Sequence, residues 1–533
     1  LCYAVAPSSQ AAMPSISLLV ITPSQRLKLV VDASSTVGDV LAKLPRTDGQ
    51  LHGVTSNSGN YLGNRLLSQG PRLLREQEIL SEILERSSDD IEVTLTDFSL
   101  LAPAAGPAGS ICRIPDAAKR GITIEQLAKV ERFVAPMAPL WCETFGDASG
   151  QPLDFATVHN YHLNTWVVHP STRAIRGDGG YGCSFVELMA AKAEEQLPLW
   201  YLSYAWLVRF GRLVACLGTH AQVRGLSLQV PYWDSLYANN QHILVGDPHD
   251  PRGSYYRALR RAKGMLLVVD DQNACFARVY CAMELALVVA SRHSAKPCLL
   301  DVGTALDGHS SILTQGLAGR ELQMAPLRGM YLKAYREAGF PTHHLREALA
   351  LDITCSQGLD RNLILNFIAF PKASKKARRN MRDHAPPLHH PNYDRVNRAL
   401  GSHFALACWY AAEKENDEYA CEEYAHILQA DGDREVVELS FTGCSLFSDR
   451  QLHNLITHLP PALRVLRLDL AFTGLHTLRC LETLREMTKL VKLSLSFTGS
   501  RNLCNIDGLG LGLQGMPQLR ELELCFLKLL QLV

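Results

Sequence analysis

The residues best placed to do chemistry lie between Lys263 and Asp301. An apolar run, Met265 to Val269, ends in Asp270-Asp271, and the apolar stretch from Phe276 to Ser291 carries Glu284 as its acidic residue. On a helix, Cys281 and Tyr280 precede Glu284 by three and four positions and share its face, with Arg278 nearly two turns earlier. Ligands of open α/β sheets bind beyond the carboxyl ends of the strands. Asp270 and the start of the following helix therefore mark where a pocket would form.

Other clusters are less specific. Cys183 and Glu187, with His162 or His169, hold the ingredients of a thiol nucleophile site, but no spacing fixes it. Gly177, Gly179 and Gly182 satisfy GxGxxG, yet they follow Ser-Thr-Arg-Ala-Ile-Arg instead of a buried strand, so an ordinary glycine loop is the stronger reading. His389-His390 and His384 have no acidic or cysteine ligand at helical spacing, which favours a solvated loop and no metal site. Lys372, Lys375, Lys376, Arg378, Arg379 and Arg382 form a basic cluster, and Glu413, Glu415, Asp417, Glu418, Glu422 and Glu423 an acidic one. Each reads first as a solvated helix face, with pairing between the two or contact with phosphates or an acidic partner as alternatives.

The elements that must position these residues follow from periodicity. Strands at Leu199–Tyr204, Leu226–Val230, Met265–Val269 and Cys298–Val302 alternate with helices near Phe210–Arg224, Ser254–Lys263 and Phe276–Ser291, the pattern of parallel βαβ units in a small doubly wound sheet. Upstream, Ile16, Leu18, Val20 and Leu27, Leu29, Val31 alternate around a Thr22-Pro23-Ser24-Gln25 turn, which predicts a hairpin. Thr36 with Asp39 resembles a capping box ahead of Val37, Val40, Leu41 and Leu44, and late strands follow at Leu66-Leu67 and at Ile91, Val93, Leu95. Residues 311–430 read as mostly helical, interrupted at Pro371 and Pro386-Pro387. From Asp431 the triplet Phe-Thr-Gly recurs at Phe441, Phe472 and Phe497, each time after strand-like alternation.

The chain has 533 residues, enough for three or four domains at roughly 150 residues each. Its 53 basic and 53 acidic residues cancel, which argues against a uniformly basic nucleic-acid binder. Fifteen cysteines, odd in number and without a CxxC pair, read as reduced thiols of an intracellular, cytoplasmic protein. No apolar run reaches the roughly 18 residues a membrane-spanning helix needs, so no membrane partner is expected.

Three resemblances follow. The hairpin–helix–late-strand order over about residues 14–96 resembles the ubiquitin-like β-grasp, although no Gly-Gly end follows the last strand, so docking is implied and conjugation is not. Trp200-Tyr201-Leu202-Ser203-Tyr204-Ala205-Trp206 resembles the opening strand of Toll/interleukin-1 receptor (TIR) domains. Ala277-Arg278-Val279-Tyr280-Cys281-Ala282-Met283-Glu284-Leu285 resembles their SxWCxxEL helix, with Tyr280 in place of Trp. The LxxLxL spacing of the last two repeats resembles leucine-rich repeats without their Asn ladder, and an array stopping in its fourth unit is expected to be a fragment. The resulting architecture is multidomain α/β. It comprises a disordered tail (1–12), a β-grasp module (13–98), a linker and helical connector (99–155), a flavodoxin-like, TIR-like α/β domain (156–310), a helical segment (311–430) and a leucine-rich-repeat solenoid (431–533).

In TIR family members that cleave NAD, the Glu at the position of Glu284 is catalytic, so the resemblance implies an NAD nucleosidase (glycohydrolase) with NAD as substrate. Breaking the nicotinamide–ribose bond builds oxocarbenium charge that a carboxylate can stabilise. In that reading Trp206 or Trp233 stacks on a ring, Asn239 and Asn240 bind ribose hydroxyls or phosphate, and Asp270 edges the pocket. The resemblance also implies homo-oligomers. The residues favour, ahead of that alternative, an intracellular signalling scaffold whose ubiquitin-like module and repeats bind proteins and whose TIR-like domain is an interaction surface.

Overall fold

The structure, a computed structural model, describes five strand segments between residues 15 and 97, residue 101, and residues 111–141, 152–172, 182–243, 253–349, 352–374 and 377–527, apart from 307, 359 and 379. The expected tail, the helix expected at Thr36–Leu44, and Gly177 and Gly179 of the glycine loop lie outside the described residues. The chain divides into two units. One comprises Leu1–Pro198, Arg209–Gly211 and Trp233–Asp247, and the other Leu199–Val208, Arg212–Tyr232 and Pro248–Val533.

In the first unit, strands β1 (Ser15–Ile21), β2 (Arg26–Asp32), β3 (Arg65–Gln69), β4 (Arg72–Leu73) and β5 (Ile91–Asp97) form a sheet in the order β2-β1-β5-β3-β4. Ile16, Leu18 and Val20 stand opposite Val31, Leu29 and Leu27, and Val20 lies beside Val93 of the parallel β5, so the alternating apolar positions fall in register across three strands. Helix α1 (Ile124–Met137) starts where Thr123 and Gln126 cap each other, and it buries Leu127, Val130 and Val134 at helical spacing. Glu187, one half of the imagined thiol site, is a buried tie. Its carboxylate accepts the Ile114 amide at 3.1 Å, the Ser184 amide at 3.0 Å and the Arg120 guanidinium at 3.2 Å.

The second unit holds β6 (Trp200–Tyr204), helix α2 (Phe210–Arg224, shared at its start with the first unit), β7 (Pro231–Trp233, whose last residue belongs to the first unit), β8 (Gly264–Val269), α3 (Val279–Ser291), β9 (Leu299–Thr304) and β10 (Ile312–Leu313). They run β10-β9-β8-β6-β7 across a mixed sheet. β8 is buried along its whole length between β6 and β9, parallel to both, as a strand covered on two faces must be.

Three expectations are corrected here. The sheet is not all parallel, because Thr304 and Ser311 close a turn that returns β10 antiparallel on β9; a two-residue strand is too short to show a period. Leu226–Val230 is not a strand. Leu226 bonds back to Ala221 and Val230 to Ser227, a turn off the end of α2, and pairing begins at Pro231. The helix drawn from Phe276 is broken at Arg278, whose backbone is extended while the next amide, of Val279, bonds to Gln357 at 3.0 Å.

Helices α4 (Pro326–Glu337), α5 (Arg361–Ala369), α6 (Pro391–Glu415) and α7 (Glu418–Ala430) follow. Pro326 and Pro391 sit in first turns, where the missing N–H is harmless, and α6 stops at Asn416 in the left-handed region. Among the described residues no ion pair joins the basic and acidic clusters. Arg382 pairs with Asp360, and Glu418 with Arg450.

Strands β11 (Val436–Ser440), β12 (Val465–Asp469), β13 (Lys492–Ser496) and β14 (Glu521–Cys525) are parallel and in register. Val437, Leu466 and Leu493 form one buried ladder, and Leu439, Leu468 and Leu495 the next. The Phe-Thr-Gly triplets are not equivalent, contrary to expectation. Leu470, Phe441 and Phe497 each follow directly on a strand and are fully buried. Phe472 is half exposed and occupies the left-handed position that Gly443 and Gly499 fill in the neighbouring repeats.

Candidate functional site

Helix α3 is apolar on all sides because it is enclosed by β6, α5 and α6, and Glu284 is 6% exposed on it. A carboxylate so placed is destabilising by several kcal/mol unless its oxygens are bonded. Both are. Tyr201 Oη donates to Oε1 at 2.7 Å and Ser203 Oγ to Oε2 at 2.5 Å. Tyr201 and Ser203 are alternate residues of β6 and so share one face of the sheet. Burial, then the Glu284 carboxylate, keep the Tyr201 phenol far from ionisation, so it remains a donor. Burial, then Glu284 and more weakly Asp270, push the Cys281 thiol up to about 12 against the opposing Arg278 charge and Ser203 hydrogen bond, which favours the neutral thiol.

The other expected site residues have separate duties. Asp270 follows β8 and accepts the Ala274 amide at 3.0 Å, which holds the short turn Ala274–Ala277 in place. Trp206 lies half-buried just beyond β6. Trp233, Asn239 and Asn240 belong to the first unit. Trp233 is fully buried and donates Nε1–H to the Ala117 carbonyl at 2.9 Å, so stacking on a nucleotide would require its core to open. Asn239 Nδ2 donates to Ser235 O at 3.1 Å, and Asn240 Oδ1 accepts the His242 amide at 3.0 Å. The structure brings together Glu284, Tyr201, Ser203 and Cys281, and assigns three of the six expected residues to a different unit.

A second buried network was not expected from the sequence. His220 Nε2 lies 3.0 Å from Asp301 Oδ2 and Nδ1 lies 2.8 Å from Tyr232 Oη, all three side chains being closed to solvent. Arg224 Nε donates to Asp301 at 2.7 Å, and the Gln315 amide at 2.9 Å. Burial alone would raise the Asp301 carboxyl, but His220 and Arg224 outweigh it and hold it below the usual value. The legible signal is His220 and Arg224 four residues apart on one helix, opposite the lone acid of an apolar strand.

Among the described residues no group of His, Cys, Asp or Glu is arranged to hold a metal ion, and no helix is long and apolar enough to cross a membrane. No family model, curated protein or solved structure matches the chain.

Proposed function

We propose that this chain is a cytoplasmic signalling scaffold built from ubiquitin-like, TIR-like and leucine-rich-repeat interaction modules. The observation that carries this reading is the engagement of both Glu284 oxygens by Tyr201 and Ser203, which makes the one carboxylate of α3 a bolt between helix and sheet. Strand orders support the modules. β2-β1-β5-β3-β4, with a parallel central pair, suits a β-grasp; β9-β8-β6-β7 suits the flavodoxin-like winding of TIR domains; the in-register ladder β11 to β14 suits a solenoid.

The test is incubation of concentrated protein with NAD while nicotinamide release is followed. A scaffold releases none above a Glu284→Gln control. Proteins captured by the intact chain should be lost on Leu522→Arg, a change at an exposed position of β14.

One observation favours the alternative, a TIR-like NAD nucleosidase. Strand order reverses between β6 and β8, and such switch points are where α/β sheets take ligands. Glu284 is bonded to β6 and Asp270 follows β8. In this reading Ser203 releases Oε2, the carboxylate stabilises the oxocarbenium ion, and water completes hydrolysis to ADP-ribose and nicotinamide. Nicotinamide release that Glu284→Gln abolishes would establish this activity instead.

A further inference from the structure

A cavity of about 150 Å³ lies within the second unit, bounded by α4, α6, the loop after β10, and β11. A cavity of that volume holds a benzene-sized guest. Here the walls carry polar and charged groups: Lys333 and Glu337 reach it from α4, His403 and Tyr410 from α6, Arg434 from the turn before β11 and Glu438 from β11.

Its carboxylates are already matched. Glu337 accepts Lys333 Nζ at 2.6 Å and the Thr314 amide at 2.7 Å, and Glu438 pairs with Arg467. The guanidinium groups outnumber their carboxylate, although Arg434 also donates to Ser402 Oγ at 2.7 Å and Arg292 to the Ala399 carbonyl at 2.6 Å. Arg434 at 3.0 Å and Arg292 at 3.1 Å share one carboxylate, that of Asp431. Burial, then Arg434, Arg292 and Lys333, drive His403 down to about 3, and burial, then Arg292, lower Arg434 to about 10. The adjoining loop offers donors as well. The amides of Thr314, Gln315 and Ala318 each meet a carboxylate, at 2.7, 2.9 and 2.8 Å, whereas those of Gly316 and Leu317 meet no acceptor among the described residues.

We propose that this cavity is a binding site for a small oxyanion, a phosphate or carboxylate group carried on about six to ten non-hydrogen atoms. Arg434 and Lys333 supply charge-assisted hydrogen bonds, and the Tyr410 phenol, which burial keeps protonated, donates a third. Such a ligand touches α4, α6 and the turn leading into β11 together, so its arrival fastens the helical segment to the first repeat. The site shares no residue with the Glu284 cluster and stands whichever function is correct.

Isothermal titration of the intact chain in chloride-matched buffer, with inorganic phosphate and with pyruvate as probes, tests this. Saturable one-to-one binding is expected for at least one probe, and the preferred probe identifies the head group. Ala407→Leu, which fills the cavity from α6, and Lys333→Gln should each weaken that binding at least tenfold, with folding checked by thermal melts. Should Ala407→Leu fail to fold, Lys333→Gln decides. Saturable binding by neither probe, or binding that no folded variant weakens tenfold, overturns the proposal.

Discussion

Tyr201 and Glu284 stand 83 residues apart in sequence, yet the phenol oxygen of one lies 2.7 Å from Oε1 of the other, across the boundary between the first strand of the α/β sheet and its most enclosed helix. Ser203 completes the arrangement from the same strand face. The carboxylate is therefore held by two hydroxyl donors inside an apolar shell, and its removal would take an acceptor from each.

Glu284→Ala should destabilise the second unit by about 2–4 kcal/mol, because each buried hydroxyl that loses this acceptor costs about 1–3 kcal/mol. Glu284→Gln keeps one acceptor and should lose about half as much. Urea midpoints at constant slope measure both, and a loss under about 0.5 kcal/mol for the alanine variant would refute the structural role.

Asp301 predicts an acid-sensitive limb. Its folded-state carboxyl is held below its ordinary value, so the stability it contributes is present above about pH 3.9, its unfolded value, and is lost as pH falls through the lower folded value. Asp301→Asn should be less stable at neutral pH and should flatten that part of the stability–pH curve. An unchanged limb in denaturant melts between pH 5 and 2 would show that His220 and Arg224 do not hold this carboxylate.

His403 acts in a higher window. Burial and the nearby Arg434, Arg292 and Lys333 lower its folded value from 6.5 to about 3, with Asp301 opposing them weakly. Between those two values the unfolded chain binds the extra proton, so stability rises with pH by at most about 1.4 kcal/mol per unit and levels off above 6.5. His403→Phe should remove that slope. Persistence of the full wild-type slope would mean that the imidazole is free to protonate in the fold.

Phe472 lies at φ 56, where its neighbours in the array have Gly443 at φ 80 and Gly499 at φ 72. A left-handed backbone costs a side-chain-bearing residue about 1–2 kcal/mol, and glycine gives back part of that through its greater unfolded entropy. Phe472→Gly should stabilise the array by about 0.5–1 kcal/mol. Gly499→Ala should do the reverse, since its Cβ would lie 2.4 Å from the Phe472 ring. Opposite signs in paired thermal melts are the expected result, and a destabilised Phe472→Gly would show that ring packing outweighs the strain.

Much of the framework was legible because it rests on local patterns. The alternation in Ile16 to Val20 and Leu27 to Val31 foretold a hairpin whose partners pair in register. The apolar run Met265–Val269 reads as a strand covered on both faces, and it is one. The LxxLxL spacing anticipated the parallel ladder. Where the reading failed, the deciding contact was distant. β10 is defined by its bonds to β9, and the break at Arg278 by an amide bond to Gln357. The Phe-Thr-Gly triplet misled because the strand ends set the repeat register, so that Leu470 takes the buried place of Phe441 and Phe497.

Local sequence was enough for the strands β1, β2, β8 and the parallel ladder, and for one carboxylate carried by α3 through an apolar environment, because period and composition act between neighbours along the chain. Tertiary structure alone decided what that carboxylate meets. Tyr201 and Ser203 satisfy Glu284, His220 and Arg224 satisfy Asp301, and Trp233 enters a core. The reason is desolvation: a buried polar group must find its partner wherever the fold delivers one, and that partner's position in the sequence carries no local signature.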